Sequence, residues 1–128
     1  MSNALSKKHR IRKRRDFLRV QRFGTRVLGK FFTLVGRSIP LNTEGRLGLT
    51  VSKAVGKAHV RNLIKRRLRH ILRENRNLFS RHDLVVIAQP SIVSISFEEL
   101  QAELLRALAT LNEKIISKTK AKRLEKKP

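Results

Sequence analysis

The sequence predicts a two-layer α/β sandwich with elements in the order α-β-β-β-α-β-α, and three observations carry that prediction. Arg46–Ser52 alternates Leu47, Leu49 and Val51 with Arg46, Gly48, Thr50 and Ser52, the period of a strand buried on one side. A long segment from Lys57 or Ala58 to about Leu78 repeats Ile64, Leu68, Ile71 and Leu72 at helical spacing. Asp83–Gln89 is a near-continuous apolar run stopped by Pro90, the pattern of a central strand covered by helices. With 128 residues the chain is long enough for one such core.

The remaining elements follow in order. Residues 1–12 are polar and basic and read as an extended N-terminal arm. Arg14 to Phe23 forms a short helix with Phe17 and Val20 on one face, and Gly24 is placed to end it in a left-handed cap. Thr25–Leu28 is a short strand, and Lys30–Arg37 (Lys-Phe-Phe-Thr-Leu-Val-Gly-Arg) is a second, with Phe31 and Phe32 on opposite sides. Ser38–Gly45 holds Pro40, Asn42 and Gly45 and connects to the third strand. Ser96 and Glu99 offer a capping box for a last helix, whose Leu100, Leu104, Leu108, Leu111 and Ile115 recur at helical spacing. A single domain over 5–115 results, followed by a basic tail over 116–128 that composition assigns to disorder. One sheet face must stay open, and the polar side of Arg46–Ser52 with part of Lys30–Arg37 is the candidate.

Thirty-one Lys and Arg against nine Asp and Glu leave a formal net charge of +22. Such a surplus opposes compaction and favours anionic partners, yet 40% hydrophobic residues separate the chain from a disordered polycation. There is no cysteine, so disulfides and thiolate metal sites are excluded. No apolar stretch reaches the roughly 18 residues of a membrane span, and the N-terminus lacks the apolar core of a secretory signal. A cytoplasmic, RNA-rich setting is the expectation.

The charge is concentrated on the long helix. With Arg61 at the origin, Lys65, Arg69, Asn62, Arg73 and Arg66 project to about 40°, 80°, 100°, 120° and 140°, and the aliphatic face lies at about 280–380°. Five cations and one amide therefore share a face. No acidic residue occurs between Glu44 and Glu74. A solvated helix mixes signs in pairs four apart, whereas this ridge suits a polyanion. Arg67 and His70 project away from it and read as solvated. Lys57, after Val55-Gly56, stands at the helix N-terminus, where an anion is also favoured.

Catalytic chemistry is hard to assemble from these residues. His9, His59, His70 and His82 are separated and three lie among cations; no His-x-x-x-His pair, Gly-x-Ser-x-Gly elbow or complete phosphate loop exists. Asp16 and Asp83 lie near element starts, where capping is the ordinary role. Phe17 suits either half-burial beside Val20 or stacking on an unpaired base at the edge of an open sheet. No second helix precedes the basic one at helix-turn-helix spacing, so irregular or single-stranded RNA fits better than DNA.

Val51-Ser52-Lys53, Val55-Gly56-Lys57-Ala58, Arg61-Asn62, Ile64-Lys65-Arg66 and Leu68-Arg69 resemble the signature of the bacterial ribonuclease P protein component. Asp16-Phe17 with Val20 and Gly24, Phe32, Arg46-Leu47-Gly48, and Asp83 with Val86-Ile87-Ala88 agree in order and spacing, so the resemblance covers about residues 5 to 111. It implies the same element order, with a left-handed crossover from the third strand through the basic helix to the fourth, although about 98% of such units are right-handed. It implies a protein that binds a catalytic RNA and helps that RNA bind precursor tRNA and remove its 5′ leader, with cleavage by Mg²⁺ held on the RNA. Membrane and DNA are not expected partners. The candidates for the catalytic RNA are Lys57, Arg61, Asn62, Lys65, Arg66, Arg69 and Arg73. Those for the leader and precursor tRNA are Arg12, Phe17, Phe32, Arg46 and Lys53; no residue is assigned to catalysis or to a metal. Leu63, Ala54, Gln21 and Gln89 depart from the family pattern, each where a basic or aromatic residue is common. The competing reading is a general RNA-binding or ribosome-associated basic protein.

Overall fold

The computed structural model of the protein describes residues 9–40 and 43–125, so the arm over 1–8, loop residues Leu41 and Asn42 and the last three residues of the chain lie outside it. The elements are α1 (Arg14–Phe23), β1 (Thr25–Leu28), β2 (Phe32–Ser38), β3 (Leu47–Thr50), α2 (Ala58–Glu74), β4 (His82–Ala88) and α3 (Phe97–Glu125). This is the predicted order. Short 3-10 turns at Arg76–Leu78 and Pro90–Ser94 flank β4.

The sheet runs β1-β2-β4-β3, antiparallel except for the parallel pair β3 and β4. Those two strands are joined through α2, which makes the β-α-β unit that the resemblance implies. Register places Leu34 and Leu49 on either side of Val86. Alternation then puts Phe32, Leu34, Leu47, Leu84, Val86 and Ala88 in the main core, where they meet Ile64, Leu68, Ile71 and Leu72 of α2 and Leu100, Leu104, Leu108 and Leu111 of α3. The opposite face is covered more thinly. There Val20 of α1 and Ile11 bury Val35 and Val85, with Phe17 and Ile87 partly buried against them.

Strands β2, β3 and β4 shift by one or two residues from their expected ends, and three helix ends differ from the sequence expectation, each for a local reason. Gly24 ends α1 with φ −80° rather than in the left-handed region, its N–H bonded to Val20 O at 2.7 Å. A Cβ there would lie 2.5 Å from Val20 O and 2.7 Å from Val35 Cγ1, so close approach selects the glycine. Helix α2 stops at Glu74, short of Leu78, because the Asn75 amide donates to Ile71 O at 2.8 Å and the chain tightens into the 3-10 turn. Helix α3 starts as expected, with Ser96 Oγ accepting the Glu99 N–H at 3.2 Å, but continues to Glu125 through most of the stretch that composition assigns to a disordered tail. Ile115 is the last buried apolar residue described on α3, and Ile116 is 54% exposed. The sequence that follows is rich in Lys, Ala, Arg, Leu and Glu, strong helix formers that can continue a helix already anchored by its first five turns.

The N-terminal arm is extended where it is described. Arg10 bridges to Leu47 in parallel, and the Ile11 N–H donates to Leu47 O at 2.9 Å. Buried Ile11 thereby fixes the arm along the outer edge of β3.

Candidate nucleic-acid interface

The basic helix is launched by a tight turn. Val51 and Val55 are buried, while Ser52, Lys53 and Ala54 between them are exposed. The Val55 N–H bonds Ser52 O at 3.0 Å and the Gly56 N–H bonds Lys53 O at 3.2 Å. Gly56 then turns the chain into α2 with φ 157°, a backbone that L side chains rarely adopt. No side chain caps the helix and no acid lies in its first turn. The positive end of the helix dipole is therefore reinforced by Lys57 and Arg61 instead of being offset. Arg61 Nε donates to Gly56 O at 3.1 Å, which ties this guanidinium to the turn.

With Ile64, Leu68, Ile71 and Leu72 anchored in the core, the opposite side of α2 presents Asn62, Arg66 and Arg69 exposed and Arg61, Lys65 and Arg73 half-buried. Lys57 is exposed ahead of them. The structure thus brings all seven catalytic-RNA candidates onto one helix and its entry. Among the described residues no carboxylate pairs with any of them. Glu74 pairs with His70 at 3.3 Å, and Arg73 Nη2 donates to His70 Nδ1 at 3.1 Å. The imidazole is thereby held between Arg73 at Nδ1 and Glu74 at Nε2. Leu63 is 42% exposed, so its departure from the family pattern puts an apolar group on the surface beside the ridge.

Arg67 and His70 are not simply solvated. They line an open concavity of about 660 Å³ with Asn62, Arg66, Arg69, Arg73 and Phe97. The Phe97 ring, at the start of α3, lies 5.8 Å from the His70 ring and closes that side. A projection of α2 alone contains no trace of this wall, because Phe97 arrives from another helix.

The leader candidates divide. Phe17 is half-buried over Gly48 of β3, where a Cβ would lie 2.6 Å from the ring. Arg12 is exposed next to buried Ile11, and Lys53 is exposed in the turn after β3. These three border one edge of the thinly covered sheet face. Phe32 does not: strand parity sends it into the main core, 3% exposed, on the other side of the sheet. Arg46 is committed elsewhere. Its backbone N–H, Nε and Nη2 donate to the Asp83 carboxylate at 3.1, 3.3 and 2.9 Å, and Nη1 reaches Asp16 at 3.3 Å. The hydrogen bonds it donates to the Asp83 carboxylate raise the Arg46 pKa above its ordinary value. Asp16 and Asp83 are therefore partners of one guanidinium and not helix or strand caps. Gln89 donates to Gly29 O at 3.0 Å and so secures the turn between β1 and β2. Among the described residues no three His, Asp or Glu side chains group as metal ligands, and no helix is long and apolar enough to cross a membrane.

Comparison with known proteins adds a family. The model of the family described as Ribonuclease P matches residues 5–112. A ribonuclease P protein component of Bacillus velezensis is 36% identical over 100 residues, covering 78% of this chain and 86% of its own. One from Syntrophus aciditrophicus is 40% identical over 101 residues, covering 78% and 84%. The solved RNase P protein of Staphylococcus aureus superposes with a TM-score of 0.73 at 29% identity, covering 80% of this chain and 94% of that one. That of Thermotoga maritima gives 0.69 at 31% identity, covering 77% and 94%.

Proposed function

The chain belongs to the ribonuclease P protein family, and from that membership we propose that its two surfaces divide the work, α2 receiving the catalytic RNA and the Phe17 side of the sheet receiving the 5′ leader. The protein is the RNA-binding subunit of ribonuclease P, the endoribonuclease that removes the leader from precursor tRNA. Its partners are the catalytic RNA and the tRNA precursor. We assign both surfaces to the domain over 5–115, and the work to the cytoplasm.

One observation carries the assignment of α2: its cations share a face with no carboxylate among the described residues to neutralise them, although like charges so placed repel one another in the free protein. A folded RNA removes that repulsion and supplies a phosphate for each head group. The concavity beside Phe97 adds depth where a protruding nucleotide can enter. Arg12, Lys53 and the half-buried Phe17 ring offer a single strand two cations and a stacking surface. Phe32 and Arg46 have structural roles instead. Cleavage is assigned to the RNA, whose Mg²⁺ would activate the attacking water; this chain supplies positive charge and position.

Reconstitution tests this reading. Added to the cognate RNA, the protein should lower the Mg²⁺ needed for precursor cleavage and bind precursor tRNA more tightly than mature tRNA. If neither quantity moves, the general RNA-binding alternative takes its place.

Gly48→Ala tests the leader face separately. The new methyl displaces the Phe17 ring. Preference for precursor over mature tRNA should then fall about tenfold, the scale of one lost base stack, with affinity for the catalytic RNA unchanged. Undiminished preference removes Phe17 from the leader contacts.

A further inference from the structure

Helix α1 has two open flanks, and only one has been used. Phe17 and Gln21 lie together on one flank; Arg19 and Phe23 lie together about 160° away, with Val20 buried between them. Phe23 is 64% exposed, a large apolar ring in water at the end of a basic helix. Two guanidinium groups lie over it, Arg22 at 5.4 Å and Arg37 at 5.7 Å from the ring centroid.

Arg37 also lines a second concavity, of about 290 Å³, together with Arg19, Ser38 and Thr43. That volume lies near the lower end of small-ligand sites, roughly 300–1,000 Å³. Asp16 and Asp83 line it as well, but Arg46 bonds both, so Arg19 and Arg37 leave the hollow net positive. Neither of these two arginines has a carboxylate partner among the described residues. An exposed ring, a guanidinium shared between ring and hollow, and a second cation across the hollow match what an unpaired nucleotide requires: a stacking face, and a cationic seat for its phosphate. The uncompensated positive charge selects this occupant over an apolar protein segment.

We propose that Phe23, Arg37 and Arg19 form a second single-strand RNA site, in which one unpaired nucleotide stacks its base on Phe23 and sets its phosphate between the two arginines. The site lies on the opposite flank of α1 from Phe17 and does not depend on the leader assignment.

The full chain contains no Trp and no Tyr, so Phe23→Trp installs a single fluorophore at the site. Titration of this variant with an oligoadenylate decamer should quench its indole emission at least twofold, following the anisotropy of a fluorescein-labelled decamer. Quenching should persist when Phe17→Leu is added. Phe23→Leu and Arg37→Gln should each weaken decamer affinity about tenfold, Phe23→Tyr should retain it, and cleavage of a precursor with a short leader should continue unchanged in all three. Unaltered emission at saturation, or unaltered affinity in Phe23→Leu, overturns the proposal. So does loss of quenching on adding Phe17→Leu, which would place the decamer on the other flank. If Phe23→Leu abolishes self-association in sedimentation and spares decamer binding, the ring is a protein contact and the proposal fails.

Discussion

Replacing Arg61, Lys65 and Arg69 together by alanine should weaken binding of the catalytic RNA by several hundredfold at about 0.1 M monovalent salt. Each phosphate contact contributes about 0.9 to the slope of log affinity against log salt, so three contacts contribute about 2.7 and a factor near 500 at that concentration. The same arithmetic predicts that the triple variant and the parent converge near 1 M salt. The single change Lys65→Ala should reduce the slope by about one. The measurement is an equilibrium titration of the labelled RNA across a salt series. A deficit that stays constant with salt would mean that these side chains shape the protein instead of neutralising phosphates. Stability should move the other way, because removing three like charges from an unpaired ridge relieves repulsion within α2.

Asp83→Ala should destabilise the free protein by about 2–3 kcal/mol and lower its melting temperature by about 10 °C. Asp83 is 6% exposed and accepts three hydrogen bonds from Arg46, one from the backbone and two from the guanidinium. Its loss takes the acceptor from all three and leaves the guanidinium held by Asp16 alone, through Nη1 at 3.3 Å. The Arg46 side chain keeps a third of its surface in water, which holds the cost below that of a wholly buried pair. Thermal or urea unfolding measures the effect. A loss under about 0.5 kcal/mol would show the network to be no better than solvent. Asp83→Asn, which keeps an acceptor, should recover part of the difference.

Local chemistry made most of the architecture legible. The span of α1, the cap at Ser96 and the apolar face of α2 are written in residues close together in the chain, and those survive intact. Alternation predicted opposite sides for Phe31 and Phe32, but β2 begins only at Phe32, so Phe31 precedes the strand and packs against the same main core; the side on which Phe32 falls depends on register with β4, some fifty residues away. Arg46 has the same difficulty: its partners lie 30 and 37 residues distant, and nothing near it in the chain announces them. His70 and Arg67 read as solvent-facing until Phe97 is brought against α2 from the next helix. The ridge itself needed no tertiary information, because a helical period and the absence of acids suffice to define it.

The unequal cover on the two faces of the sheet has a thermodynamic consequence. Helices α2 and α3 share a broad apolar cluster with one face, whereas α1 and the arm hold the other through Ile11, Val20, Val35 and Val85. Free energy for local opening scales with such burial, so α1 and the adjoining arm residues should open as a unit before the α2–α3 side, and their amide hydrogens should exchange faster. Phe17 belongs to that unit. If the leader lies across it as proposed, it would not meet a finished surface, and part of the binding energy would go into holding the unit shut.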